Sequence, residues 1–258
     1  MGRNGQWWDS KARSRDGMPK FEKTVLAKEL SKNLSLGTPT PVVENDTKVD
    51  AVYRYFDSEE FADGFTRGDI LISTLEKCRG YEDPLRGDRH EGHDFYSTGQ
   101  SVTGNGDDPE FVRMAARAGI RIGPYARNVT IEMNSATTVL RDAYVLCTTI
   151  GFESNSLEST FGKYCVKIEN PQGFFEAVSK SLFEKVGNLR GMKGSIIYKE
   201  RYSIGKQPAA GPIGFVKPPD KYADQKEYRF LWIKEIGGAL SPLVIQCPEA
   251  AQYVVRVK

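Results

Sequence analysis

The 258-residue chain is poor in the residues that most often hold metals. It has only two histidines, His90 and His93, and four scattered cysteines, Cys78, Cys147, Cys165 and Cys247. No two cysteines form a CxxC pair, which excludes a zinc ribbon and a thioredoxin-like motif. It also lacks any apolar run near the roughly 20 residues that a membrane-crossing helix needs. The opening MGRNGQWWDSKARSRDG has no apolar core of the secretory kind. Gln6 breaks the myristoylation pattern that Met-Gly begins. These absences predict a reduced, cytoplasmic protein with no membrane partner. An excess of one charge is missing too: 36 basic against 34 acidic residues leave +2, so bulk electrostatics does not select nucleic acid.

What the chain does have is aromatic bulk, 13 Phe, 12 Tyr and 3 Trp, enough for a packed core at this length. Residues 1–47 read as an arm, with a possible helix over 21–30 and a Pro/Gly linker, before a main domain over 48–258. In that domain AVYRYF, DILIST, VTIEMN, AYVLCTTI, KYCVKI, SIIYKERYSI, EYRFLWI, SPLVIQC and YVVRV read as strands. DSEEFADGFTRG reads as a short helix with Phe61 and Phe65 on one face, and DPEFVRMAARAG as a helix capped by Asp108. Phe174, Val178, Leu182 and Val186 recur at helical spacing. Residues 79–107, rich in Gly, Asp and Arg, read as one long loop. Few strands are joined by helical crossovers, so the expected fold is α+β with a mostly antiparallel sheet and short helices. No internal repeat is visible.

The stretch YADQKEYRFLWI, residues 222–233, alternates as a strand does. Lys226, Tyr228, Phe230 and Trp232 fall on one face and suit a core. Gln225, Glu227, Arg229 and Leu231 fall on the other, which is either a solvated Glu–Arg surface or the wall of a cleft.

A Gln-x-Glu on a late strand, after an early-strand Arg and a Ser-Thr strand motif, resembles the ADP-ribosyltransferase superfamily. Here Arg54 stands in VYRYF, Ser73 and Thr74 in IST, and Gln225 and Glu227 in QKE. The middle motif has a second candidate in CTTIGFESNSLESTFG, residues 147–162, which contains Ser156. A further resemblance, over about 50–233, is to an uncharacterised bacterial family with a YRY strand, an FG.YCV.I segment and an F.KP…Y…EYRF ending. Such families often look like toxins or phage-defence effectors.

The superfamily resemblance implies a split, mostly antiparallel sheet and NAD as substrate. It places Glu227 and Gln225 at the catalytic centre and Tyr53, Arg54, Ser73, Thr74 and Ser156 around the dinucleotide. Breaking the nicotinamide–ribose bond passes through an oxocarbenium-like centre. One ionised carboxylate stabilises that centre, and nicotinamide leaves neutral without a general acid. Glu227 is expected in that role, Gln225 in orienting the acceptor, and Arg54 on the pyrophosphate, which a forked guanidinium suits. The resemblance implies a macromolecular acceptor, protein or nucleic acid. More ordinary roles stand beside these: Arg54 stacked on its neighbouring tyrosines, and Ser73-Thr74 capping the segment LEKCRG.

Two other function classes have a basis in the sequence. YEDPLRGDRHEGHDF clusters Asp88, His90, Glu91 and His93, which could hold a divalent metal for a hydrolase or nuclease. The i, i+3 histidines do not make HExxH. In the same loop, Arg86 and Arg89 could serve phosphates or be neutralised by Asp83 and Asp88. Finally, the frame could be a non-catalytic nucleotide-binding or interaction domain, with the basic arm and its Trp7-Trp8 pair as a docking peptide.

Overall fold

The alternation in VYRYF buries Val52 and leaves Tyr53 half-exposed, as a central strand with two different faces requires. The computed structural model describes residues 49–81, 87–152, 157–235 and 238–258, all within one compact unit. The arm and the expected helix over 21–30 lie outside the described residues.

The main sheet has eight strands, with every pairing antiparallel. Its order is β14 (Leu243–Gln246), β2 (Asp69–Thr74), β7 (Tyr144–Thr149), β1 (Val52–Phe56), β8 (Tyr164–Ile168) and β15 (Val254–Arg256). β13 (Glu227–Lys234) joins β7 and carries β9 (Leu189–Ser195) beyond it. The fold is α+β and antiparallel-dominated, as the shortage of helical crossovers predicts.

Two cores lie on opposite faces of the sheet, because β13 alternates cleanly. Tyr228, Phe230 and Trp232 enter the larger one. There they meet α5 (Pro171–Val186), whose Phe174, Val178 and Leu182 are wholly buried. The ring of Phe174 lies 5.6 Å from Phe230, and Phe175 lies 5.7 Å from Trp232. Each such large apolar side chain contributes about 1.5–3 kcal/mol on burial. Leu231 points the other way, into a smaller core with Leu75, Val145 and Phe215.

β7 decides where the site forms. One of its edges is occupied along its whole length by β13, from Glu227↔Thr149 to Trp232↔Tyr144. The other edge is shared. β2 pairs there at Tyr144 and Val145, and β1 at Thr149. Between these pairings the two strands diverge, and the edge over Leu146–Thr148 opens into a notch.

Several expectations are corrected. Residues 79–107 are not one loop: β3 (His93–Ser97) and β4 (Ser101–Gly104) lie within them. β3 pairs with β6 (Ser135–Val139), and β4 with β5 (Val129–Glu132). Their short polar strands carry no hydrophobic alternation to read. SIIYKERYSI is no single strand. It breaks into the end of β9, β10 (Ile197–Tyr198) and β11 (Tyr202–Ile204), which join different sheets. β9, sequence LRGMKGS, was hidden by its glycines. A Cβ at Gly191 would come within 2.7 Å of the Phe175 ring, so the missing side chain is what lets α5 pack down. In α1 (Glu59–Thr66), Phe65 is buried but Phe61 is 65% exposed and borders the notch.

Candidate functional site

The notch opens into a cavity of about 360 Å³. Segments far apart in sequence converge on it: Tyr53 and Arg54 from β1, Ser73 from β2, Cys147 from β7, Lys217 from β12 (Val216–Lys217), and Gln225 and Glu227. Five of the residues proposed from sequence, Tyr53, Arg54, Ser73, Gln225 and Glu227, thus share one wall. Thr74 is not among them. It is 1% exposed, and its hydroxyl accepts from the Lys77 N–H, capping α2 (Leu75–Arg79). Ser156 lies outside the described residues, but both candidate middle motifs reach the cavity, 72–74 through Ser73 and 147–162 through Thr148 and Thr149.

Gln225 reaches the cavity by a different route from the one its spacing suggests. Ala223–Gln225 forms a single 3₁₀ turn, Lys226 is left-handed at φ 44°, and the strand begins only at Glu227. The period-2 pattern therefore does not extend back to Gln225.

Arg54 fills the notch. Its Nη1 donates to the Cys147 carbonyl at 2.8 Å, on the edge of β7 that neither β1 nor β2 covers. Its Nε is buried without a hydrogen-bond partner. The guanidinium lies 5.4 Å from the Phe56 ring centre and 5.9 Å from Phe65, not over the flanking tyrosines. Tyr53 and Tyr55 turn instead to Phe152, at 5.3 and 6.4 Å. No carboxylate among the described residues pairs with Arg54. Burial pushes its pKa below the ordinary arginine value.

Glu227 is the opposite case. It is 4% exposed and belongs to a buried network with as many carboxylates as cations. Its Oε2 is 2.6 Å from Lys217 Nζ, and its Oε1 accepts from Arg229 Nε at 2.8 Å. Arg229 also reaches Glu91 at 2.8 Å, and Arg201 pairs with Asp88 at 2.5 Å. The backbone N–H of Glu227 donates to the Tyr198 hydroxyl at 2.7 Å. The side of β13 carrying Glu227 and Arg229 is therefore neither solvated nor a simple surface pair.

Burial alone would raise the Glu227 pKa. Arg229 and Lys217 outweigh it and bring the carboxyl down to about 2. Because the folded value lies below the ordinary 4.5, the charge stabilises the fold fully above pH about 4.5. That contribution, on the order of 3 kcal/mol from the linkage relation, is lost as pH falls toward 2. Denaturant titrations at stepped pH should show stability falling steeply between these limits. In Glu227→Gln the same fall should be much shallower.

Glu91 and Lys217 were not legible as site residues. Glu91 was read as a metal ligand in a charged loop, yet it faces Arg229, 138 positions later in the chain. Asp88 is likewise committed, to Arg201 and not to Arg89. His90 and His93 pack on Phe95 at 5.5 and 5.9 Å. The two carboxylates are thus paired with different arginines while the two histidines pack on one ring, and among the described residues no group of three or more His, Cys, Asp or Glu is placed to hold a metal ion. Asp83 and Arg86 lie outside the described residues.

Among the described residues, no helix is long and apolar enough to cross a membrane. No family model matches the chain, and no curated protein or solved structure matches it either.

Proposed function

We propose that the chain cleaves NAD at its nicotinamide–ribose bond and transfers the ADP-ribose to a macromolecule. The observation that carries this reading is the pairing of unlike charges across one cavity. Arg54 is a desolvated guanidinium with no carboxylate partner among the described residues, and Glu227 is a carboxylate held ionised. A buried cation without a counter-ion is costly. An anionic ligand entering the cavity removes that cost, and a pyrophosphate fits a forked donor. The cavity volume is at the lower end of the range typical for small-molecule sites, about 300–1,000 Å³.

The chemistry asked of the remaining residues is small. The C–N bond to nicotinamide breaks with its electron pair going to the ring nitrogen, so nicotinamide leaves neutral. Positive charge develops on the ribose carbon, and Glu227 stabilises it. A nucleophile of the acceptor attacks that carbon and gives its proton to solvent, with the Gln225 amide orienting it. Glu227 is suited to this role because its low pKa keeps it from acting as an acid. The divergence of β1 and β2 from β7 supports the same reading, since a split sheet is what the resemblance implies. By the same analogy the chain acts in the cytoplasm as a bacterial toxin or phage-defence effector.

The test is incubation of the protein with NAD labelled in the adenylate half, together with cell lysate. Free nicotinamide should accumulate, and the label should enter the protein or the nucleic-acid fraction. The absence of both nicotinamide release and thermal stabilisation by NAD would sink the proposal. The 2.6 Å contact between Lys217 and Glu227 favours a second reading, a non-catalytic nucleotide-binding domain. Stabilisation by NAD without any nicotinamide release identifies it.

A further inference from the structure

Two of the four thiols meet in this cavity. Cys78 lies on α2 and Cys147 on β7, both line the cavity wall, and both pack against the same small core. Their meeting follows from local structure. The Leu75 N–H bonds to the Ala143 carbonyl, which fixes the first turn of α2 at the start of β7. Cys78 is one helical turn after Leu75, and Cys147 is two residues after Val145, on the same face of its strand. Leu75 and Val145 share that core, so the next residue on each element is brought into apposition. The two thiols are close enough to influence each other's ionisation, and Cys147 lies near the Glu227 carboxylate. Cys165 and Cys247, by contrast, are wholly buried and do not line the cavity.

We propose that Cys78 and Cys147 form a peroxide-oxidisable dithiol site whose disulfide closes the cavity beside Glu227. Cys78 is the attacking sulfur. The neighbouring Cys147 thiol, with Arg229 nearby, holds its pKa below the ordinary thiol value in spite of burial. Cys147 is held well above that value by the Cys78 thiol and by burial. Burial pushes Cys165 up to about 12, which leaves it inert.

The Cys78 thiolate attacks one oxygen of hydrogen peroxide. The O–O bond breaks, hydroxide leaves and takes a proton to become water, and Cys78 is left as a sulfenic acid. Cys147 sulfur then attacks Cys78 sulfur and expels hydroxide, which takes up the Cys147 proton as a second water. Two thiols lose two electrons and the peroxide gains them. Both thiols are free, so bringing their sulfurs to the S–S bond length of about 2.05 Å draws α2 and β7 together. The predicted effect on turnover rests on the reading of the cavity given above, but the thiol chemistry does not.

The full-length protein is treated with hydrogen peroxide and mapped by mass spectrometry without reduction. The expected product is intramolecular, lighter by two hydrogens, and contains a Cys78–Cys147 cross-linked peptide that dithiothreitol reverses. Cys165 and Cys247 stay reduced. In Cys147→Ser, Cys78 should stop at a sulfenic acid that dimedone traps. Four intact thiols after treatment, or a disulfide joining any other pair, overturns the proposal. If nicotinamide release is found, it should fall with the disulfide and return with dithiothreitol. Activity that survives complete cross-linking overturns the closure of the cavity, and a correct cross-link in a protein without NAD activity isolates the failure to the functional reading.

Discussion

Glu227→Gln should abolish nicotinamide release while Glu91→Gln should retain most of it, although the two substitutions damage the same ion network. Both carboxylates are buried, and both bind Arg229 at 2.8 Å. Removing either charge leaves buried cations under-compensated, at a cost on the order of 3–5 kcal/mol. Stability measurements should therefore place the two variants close together. Only Glu227, however, lines the cavity. Loss of a single group that stabilises developing charge typically costs about 10²–10³ in turnover. Activity per folded molecule, with folding followed by circular dichroism at the assay temperature, separates the effects. If both variants lose activity in step with stability, Glu227 is a structural charge and the proposed mechanism loses its centre. Glu227→Asp adds a check: the charge is kept, but the shorter side chain withdraws it from the cavity. The fold should be less disturbed than in Glu227→Gln and the activity still low.

What the sequence made legible is what periodicity encodes. The faces of β13 were readable from Tyr228, Phe230 and Trp232 against Glu227, Arg229 and Leu231, because a strand sends alternate side chains to opposite sides. α5 was readable from Phe174, Val178 and Leu182 for the corresponding helical reason. Arg54, Ser73, Gln225 and Glu227, picked out far apart in the sequence, do reach one cavity. What was not legible depends on partners distant in the chain. Glu91, flanked by His90 and Gly92 in a polar segment, has no local sign that its partner is Arg229. Lys217, in the F.KP part of the EYRF-type ending, has no local sign of its partner, yet the parallel pairing of β12 with β10 carries it to the carboxylate of Glu227. β9 was missed because glycine has no side chain to register on either face. The failure at Gln225 is of another kind. A strand pattern read backward past Glu227 meets Lys226 in a left-handed conformation, and a backbone reversal leaves no trace in hydrophobicity.

Arg54→Met should leave the fold at least as stable as before and should cost most of the affinity for NAD. The usual expectation for a half-buried arginine in a central strand is that its removal destabilises. Here the guanidinium has no carboxylate partner among the described residues, and its Nε is buried and unsatisfied. The charge is held out of water by Phe56 and Phe65, and the cost of that desolvation falls on the folded state. Methionine has a similar reach, keeps contact with both rings and carries no charge. Against this gain stands one lost hydrogen bond to the Cys147 carbonyl. An acceptor left unsatisfied costs about 1–3 kcal/mol, less where the cavity admits water to it. The balance favours an unchanged or raised melting temperature without ligand. Binding behaves in the opposite way. A hydrogen bond to a charged group contributes about 1.5–3 kcal/mol, equivalent to about 10- to 150-fold in dissociation constant. Calorimetric titration with NAD reads that loss directly, and the NAD-induced rise in melting temperature should shrink with it. A variant that unfolds, or one that keeps the full NAD-induced rise, removes Arg54 from the ligand site. The split between stability and binding is the signature to look for, because a purely structural arginine has no reason to produce it.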